Sequence, residues 1–245
     1  MHEQLTSRLL FLESVSDGPK SASKFEATFC FVDLAGFSAL TEAQGDEDAA
    51  DVATRFAELT RDALSPRDRL IKTIGDAVLV TSATAGDGID LVERLLQMAV
   101  NEPKFPSLRV GMNHGPAVQR EGDVFGASVN LAARVAAEAY AGEVLGTEPV
   151  AQAARQRGIP VADLGRVPLK NVRGTIPLFS LAIMVGATEP AIDPVCRMLV
   201  DRRGAAGRLR FQGVEYWFCS LTCAAAFSSN PQWHVGASAA ARNTR

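Results

Sequence analysis

A Gly75-Asp76 pair set between two β-forming runs, Arg69 to Ile74 and Ala77 to Thr81, constrains this chain more than any other stretch. A Gly-Asp at the tip of alternating β-formers reads as a hairpin turn. By itself that turn needs no further explanation, since Gly75 supplies the backbone freedom and Asp76 is solvated. A second carboxylate adds one. Phe25 to Val32 reads as a buried strand that delivers Asp33 at its C-terminal end, just before Gly36 and a helical pattern. Carboxylates at the ends of apolar strands are costly to bury unpaired, so Asp33 and Asp76 either face water or hold a cation. Side by side, they would make a two-metal site.

The rest of the chain alternates. A helical pattern starts at Phe37, and a longer one, capped by Asp46, carries Val52, Phe56, Leu59 and Ala63 and ends at Ser65-Pro66. After the hairpin, Asp87 or Asp90 opens a helix through Leu91, Leu95 and Met98. Leu108 to Asn113 reads as a strand broken by Gly115-Pro116, and Ser128 to Ala139 reads as a helix. Val144 to Gly146 and Leu178 to Ile183 read as strands, with a helix near Pro149 to Arg157 and a turn-rich stretch between. This order predicts an α+β fold, a mainly antiparallel sheet with helices on one face.

Composition narrows the function classes. With 47% hydrophobic and 22% charged residues and a net charge of -3, the chain reads as globular and lacks the basic run of a general nucleic-acid binder. No apolar run approaches the roughly 20 residues of a membrane span. These features and the cysteine usage predict a cytoplasmic protein. Of the four cysteines, Cys30 falls inside the first strand as a buried hydrophobe, while Cys196, Cys219 and Cys223 cluster near the C-terminus, a pattern that points to metal or redox chemistry.

Three further features accompany the two carboxylates. Lys72 lies four residues before Asp76; Asp123 sits in a turn entering a helix; Asn130 and Arg134 share one face of that helix. Taken singly, each also reads as an ordinary surface or turn residue. Together and in order, FVDLAGFSAL, IKTIGDAV, GDVFG and VNLAARV resemble the catalytic domain of class III nucleotidyl cyclases, the adenylate and guanylate cyclases, over about residues 24 to 184.

That resemblance implies a ferredoxin-like, palm-type domain in which Asp33, Asp76 and the carbonyl of Leu34 bind two Mg2+ or Mn2+ ions. It implies phosphate contacts from the amides of Ala35, Gly36, Phe37 and Ser38, base reading by Lys72 and Asp123, ribose orientation by Asn130, and charge stabilisation by Arg134. Lysine only donates and ionised aspartate only accepts, a match to adenine, so ATP is the expected substrate. Lys170 either contacts the triphosphate or is a surface lysine, and His114 is expected to be structural. In the family the site lies between two subunits, which implies a homodimer with ATP as substrate and 3′,5′-cyclic AMP as product. The alternatives are a guanylate cyclase, or a catalytically weak nucleotide-binding or metal-responsive signalling dimer.

A second resemblance covers about residues 191 to 235. DPVCRM at 193–198, YWFCSLTC at 216–223, Phe227 and Asn230-Pro231 are similar to YHS or TRASH-type metal-binding domains. Thiolates suit Zn2+ or Cu+, and so short a segment needs such a staple. His234, Met198 and water are the candidates for a fourth ligand. The predicted organisation is a lead-in at 1–23, a cyclase domain at 24–184, a linker at 185–190, a metal-binding domain at 191–235 and a tail at 236–245, with the small domain as a possible regulator of the large one.

Overall fold

The computed structural model describes residues 23–183 and 190–235, so the body of the lead-in, all of the linker but Pro190, and the tail lie outside the described residues. One mixed, largely antiparallel sheet organises the rest. Its strands are β1 (Ser23–Leu34), β2 (Asp68–Ile74), β3 (Ala77–Ser82), β4 (Leu108–Arg120), β5 (Asp123–Phe125), β6 (Val144–Gly146), β7 (Val161–Pro168) and β8 (Thr175–Leu181). The order across the sheet is β2-β3-β1-β4-β6-β8-β7, with β5 folded back on β4. Only β4 and β6 run parallel. The central pair is β1 and β4, in register from Ser23↔Gln119 to Leu34↔Leu108.

Side-chain alternation along β1 sorts the helices into two layers. Cys30, Val32 and Leu34 face a core with Phe56 and Leu59 of α2 (Asp46–Ala63) and Ile89, Leu91 and Leu95 of α3 (Ala85–Asn101). Ala27 and Phe29 point the other way, toward Val129 and Ala132 of α4 (Ala127–Glu138). The helices therefore do not share one face, as the sequence pattern suggested: α4 stands opposite the others. Asp33 follows the same alternation onto the α4 face.

Close approach of α4 depends on Gly111. A Cβ there would overlap the backbone nitrogen of Ala136, with Ala136 Cα only 2.5 Å away. We expect Gly111→Ala to destabilise the fold by about 3 kcal/mol, a fall in melting temperature of roughly 6–12 °C that calorimetry would read. An unchanged melting temperature would show that α4 can shift at little cost.

Several local expectations are corrected. Gly45, not Asp46, is the N-cap of α2; Asp46, Glu47 and Asp48 occupy its first turn, where their charges favour the positive helix end. Thr84 caps α3 by accepting from the amide of Asp87. Gly115-Pro116 does not end β4: Pro116 lies between the segments paired with β6 and β5, where β1 is the lateral partner, so its missing N–H need break no ladder bond. The turn-rich stretch contains β7, five of whose eight residues are exposed.

The C-terminal residues form β9 (Ala191–Ile192), β10 (Leu199–Val200), the hairpin of β11 (Gly207–Phe211) and β12 (Val214–Phe218), α6 (Leu221–Ser229) and α7 (Pro231–Val235). Their core of Cys196, Met198, Phe218, Cys223 and Phe227 is not closed on itself. It takes in Leu40 of α1 (Phe37–Gln44), with Phe37 and Val52 packed against it.

Candidate active site

Antiparallel pairing carries the two carboxylates together. Asp33 is the last paired residue of β1 against β3, opposite Ala77, and the β2–β3 turn places Asp76 beside it, with the amide of Leu34 donating to the Asp76 carbonyl at 3.1 Å. Burial, helped by the charge and shared hydrogen bond of Asp76, pushes the Asp33 carboxyl up to about 6 against the downward pull of Arg109. Arg109 is the cross-strand neighbour of Asp33 on β4 and grips its carboxylate through Nε and Nη2. Two adjoining carboxylates, one mostly buried, suit hard divalent cations, and Arg109 holds the place that a cation would contest.

Arg109 was not singled out in the sequence. Its signal would have been the β1–β4 register, which sets a lone arginine directly against Asp33. A further adjustment concerns the loop after β1. The amide of Ala35 is committed to the carbonyl of Ser107 at 2.8 Å, which removes Ala35 from the set of amides free to meet phosphate. Gly36 adopts a left-handed conformation (φ 74°) as the N-cap of α1, leaving Phe37 and Ser38 in the first turn.

Lys72 and Asp123, which are 51 positions apart, meet directly. The Lys72 ammonium donates to both carboxylate oxygens of Asp123, at 2.8 and 2.7 Å. The Lys72 hydrogen bond, then the amide of Val124, hold the Asp123 carboxyl below its usual range. Both side chains remain over one-third exposed. On α4, Asn130 is exposed and Arg134 partly so, and Arg134 has no ion pair among the described residues. Lys170 is exposed in the turn between β7 and β8, at the sheet edge opposite β2. His114 bonds Thr28 on the neighbouring strand, 2.9 Å from Nδ1 to Oγ1. Cys30 is fully buried.

Away from these residues, Cys196, Cys219 and Cys223 converge as expected, and Asp193 joins them with all four ligand atoms within 4.8 Å of one another. Asp193 was not among the candidates for a fourth ligand, which were His234, Met198 and water. Among the described residues His234 is not in the group; its ring stacks on Phe227. Asp193 is fully buried and accepts from the amides of Val195 and Cys219, each at 2.8 Å. Burial pushes its carboxyl up, against those two amide bonds. Hydrogen bonds from Cys196 and Cys219 hold the Cys223 thiol far below the ordinary range, and the same contacts drive Cys196 up.

Residues 20–182 match the family described as the adenylate and guanylate cyclase catalytic domain, a span that runs from before Asp33 to beyond Lys170 and leaves the cysteine cluster outside. A pH-sensitive adenylate cyclase of Mycobacterium tuberculosis is 36% identical over 188 residues, 72% of this chain and 46% of that protein. An adenylate cyclase of Streptomyces coelicolor is 37% identical over 106 residues, 43% of this chain and 28% of that one. The chain therefore spans less than half the length of these curated relatives. Among solved structures, an adenylate/guanylate cyclase/hydrolase from Silicibacter pomeroyi superposes with a TM-score of 0.58 at 25% identity, over 66% of this chain and 98% of that one.

Proposed function

Because this chain belongs to the adenylate and guanylate cyclase catalytic-domain family, we propose that it converts ATP to 3′,5′-cyclic AMP and pyrophosphate at sites shared between two copies of itself. The observation that carries the reading is the pairing of Lys72 with Asp123 within the same fold that joins Asp33 to Asp76. Two Mg2+ or Mn2+ ions, held by Asp33, Asp76 and the Leu34 carbonyl, would acidify the ribose 3′-hydroxyl and neutralise the triphosphate. The 3′ oxygen attacks the α-phosphorus, its proton passes to solvent, and the bond to pyrophosphate breaks.

The chain's own residues do the rest. Lys72 donates to a ring nitrogen of adenine while Asp123 accepts from the exocyclic amine. Guanine offers a carbonyl oxygen at that point and would leave Asp123 facing an acceptor, a loss of about 1–3 kcal/mol. Asn130 orients the ribose, and Arg134, without an ion pair among the described residues, meets the charge that grows on the α-phosphate. Arg109, once displaced from Asp33, becomes a free guanidinium for phosphate oxygens, joined by the amides of Gly36, Phe37 and Ser38. Lys170 is a secondary triphosphate contact in this reading.

Exposed apolar side chains flank the base-reading pair and support a shared site. Ile74 at the hairpin tip is 47% exposed and Phe125 on β5 is 53% exposed, positions suited to cover by a second copy. The C-terminal residues 191–235 act as a YHS/TRASH-like metal-binding module for Zn2+ or Cu+, and the protein works in the cytoplasm; no described helix is long and apolar enough to cross a membrane.

Product analysis of the purified protein with ATP and GTP, in separate reactions with Mg2+ and with Mn2+, tests the reading. Cyclic AMP should form faster than cyclic GMP. ATP binding with no pyrophosphate released would instead leave a nucleotide-binding signalling dimer.

A further inference from the structure

One residue, Arg197, joins the cysteine cluster to the loop that follows Asp33. Its amide donates to the Asp193 carbonyl at 3.0 Å, its carbonyl accepts from the amide of Ser107 at 2.9 Å, and the Ser107 carbonyl accepts from Ala35 at 2.8 Å. Main-chain hydrogen bonds therefore run without a break from the cluster to the loop. The side chain adds a second link. It packs so closely over Gly36 that a Cβ there would lie 2.6 Å from Arg197 Cγ and 3.2 Å from the Cys196 carbonyl. Arg197 itself has a φ of 65°, which a long side chain keeps only where its surroundings enforce it. Leu40, one turn into the helix that follows, is fully buried against Cys196 and Met198.

The cluster has the geometry of a closed structural site. Cys196 and Cys219 sulfurs lie 3.4 Å apart, and those of Cys219 and Cys223 lie 3.8 Å apart. A tetrahedral ion with thiolate bonds of ~2.3 Å spaces its sulfurs by about 3.8 Å. A buried carboxylate beside three sulfurs favours a borderline divalent ion over a purely soft monovalent one. The Asp193 oxygens keep lone pairs beyond the amide bonds they accept.

We propose that Asp193, Cys196, Cys219 and Cys223 bind one zinc-class divalent ion, and that this ion fixes the Asp33–Ser38 loop through Arg197. Occupancy of the cysteine site then sets how well the loop receives a triphosphate, a consequence that rests on the cyclase reading above; the coupling of ion to loop does not. Loss of the ion frees the Cys196–Arg197 turn, and with it the side chain that packs over Gly36.

The full chain, stripped by chelation and then titrated with zinc, supplies the test through metal analysis and amide hydrogen exchange. One zinc per chain is expected, with exchange across Ala35 to Leu40 slowed about tenfold or more. Cys219→Ser, at the least buried of the three cysteines, should bind no zinc at this site, and its loop should exchange at the zinc-free rate throughout. Arg197→Gly, which relieves the left-handed strain and deletes the side chain but keeps the main-chain bonds, should keep the zinc while the loop's response to it shrinks. The proposal fails if wild-type protein takes up no zinc, or if zinc binds and the Ala35 to Leu40 amides exchange as before; this comparison needs no variant to fold. Zinc-dependent protection in a protein that releases no pyrophosphate would overturn only the cyclase reading.

Discussion

Mixed in equal amounts, Asp76→Ala and Arg134→Ala proteins should regain about a quarter of the wild-type cyclase rate, although each alone falls by roughly 10³-fold or more. Asp76→Ala removes one of two adjoining carboxylates, and Arg134→Ala removes a cation that has no ion pair among the described residues. If a site takes its carboxylates from one copy and Arg134 from the other, a mixed dimer holds one site with both defects and one with neither. Random exchange places half of the chains in such dimers, hence the quarter. Asp33→Ala mixed with Asp76→Ala should recover nothing, because both losses fall on the same side. No recovery in the first mixture would mean that each chain builds its site alone, and recovery in the control would mean that Asp33 and Asp76 serve a site from different copies.

Asp123→Asn should shrink the preference for ATP over GTP by roughly 10–100-fold, read as the ratio of kcat/KM values. Ionised Asp123 can only accept, and Lys72 keeps it ionised through two short hydrogen bonds. The amide of asparagine both donates and accepts, so it can meet the carbonyl oxygen of guanine as well as the amine of adenine. Turnover of ATP should fall while that of GTP rises or holds. An unchanged ratio would remove Asp123 from base reading whatever the total activity.

The parts of this site that sequence makes legible are those fixed by local chemistry. A glycine-aspartate turn between β-formers announces Asp76, and an apolar strand ending in a carboxylate announces Asp33. Arg109 stays hidden because its meaning lies in register: only when β1 and β4 are aligned does it stand opposite Asp33. Pro116 misleads for a related reason, since the cost of proline depends on which lateral neighbours a strand has at that point. Asp193 combines two roles, a turn before proline and a member of the cysteine group, and only the first has a sequence signature. The docking of Cys196 and Met198 on Leu40 was likewise illegible, because the apolar faces belong to elements more than 150 positions apart and neither is unusual alone.

Arg109 closed over Asp33 stands where, on the proposed reading, a metal ion would bind. Both nitrogens of that grip sit on Oδ2, so an ion that takes this oxygen would have to replace the guanidinium. On the proposed reading, a nucleotide that arrives with its ion would supply the replacement charge, and Arg109 would be released toward the phosphates. Initial-rate kinetics should therefore show the ion–nucleotide complex, not the free anion, as the species that enters.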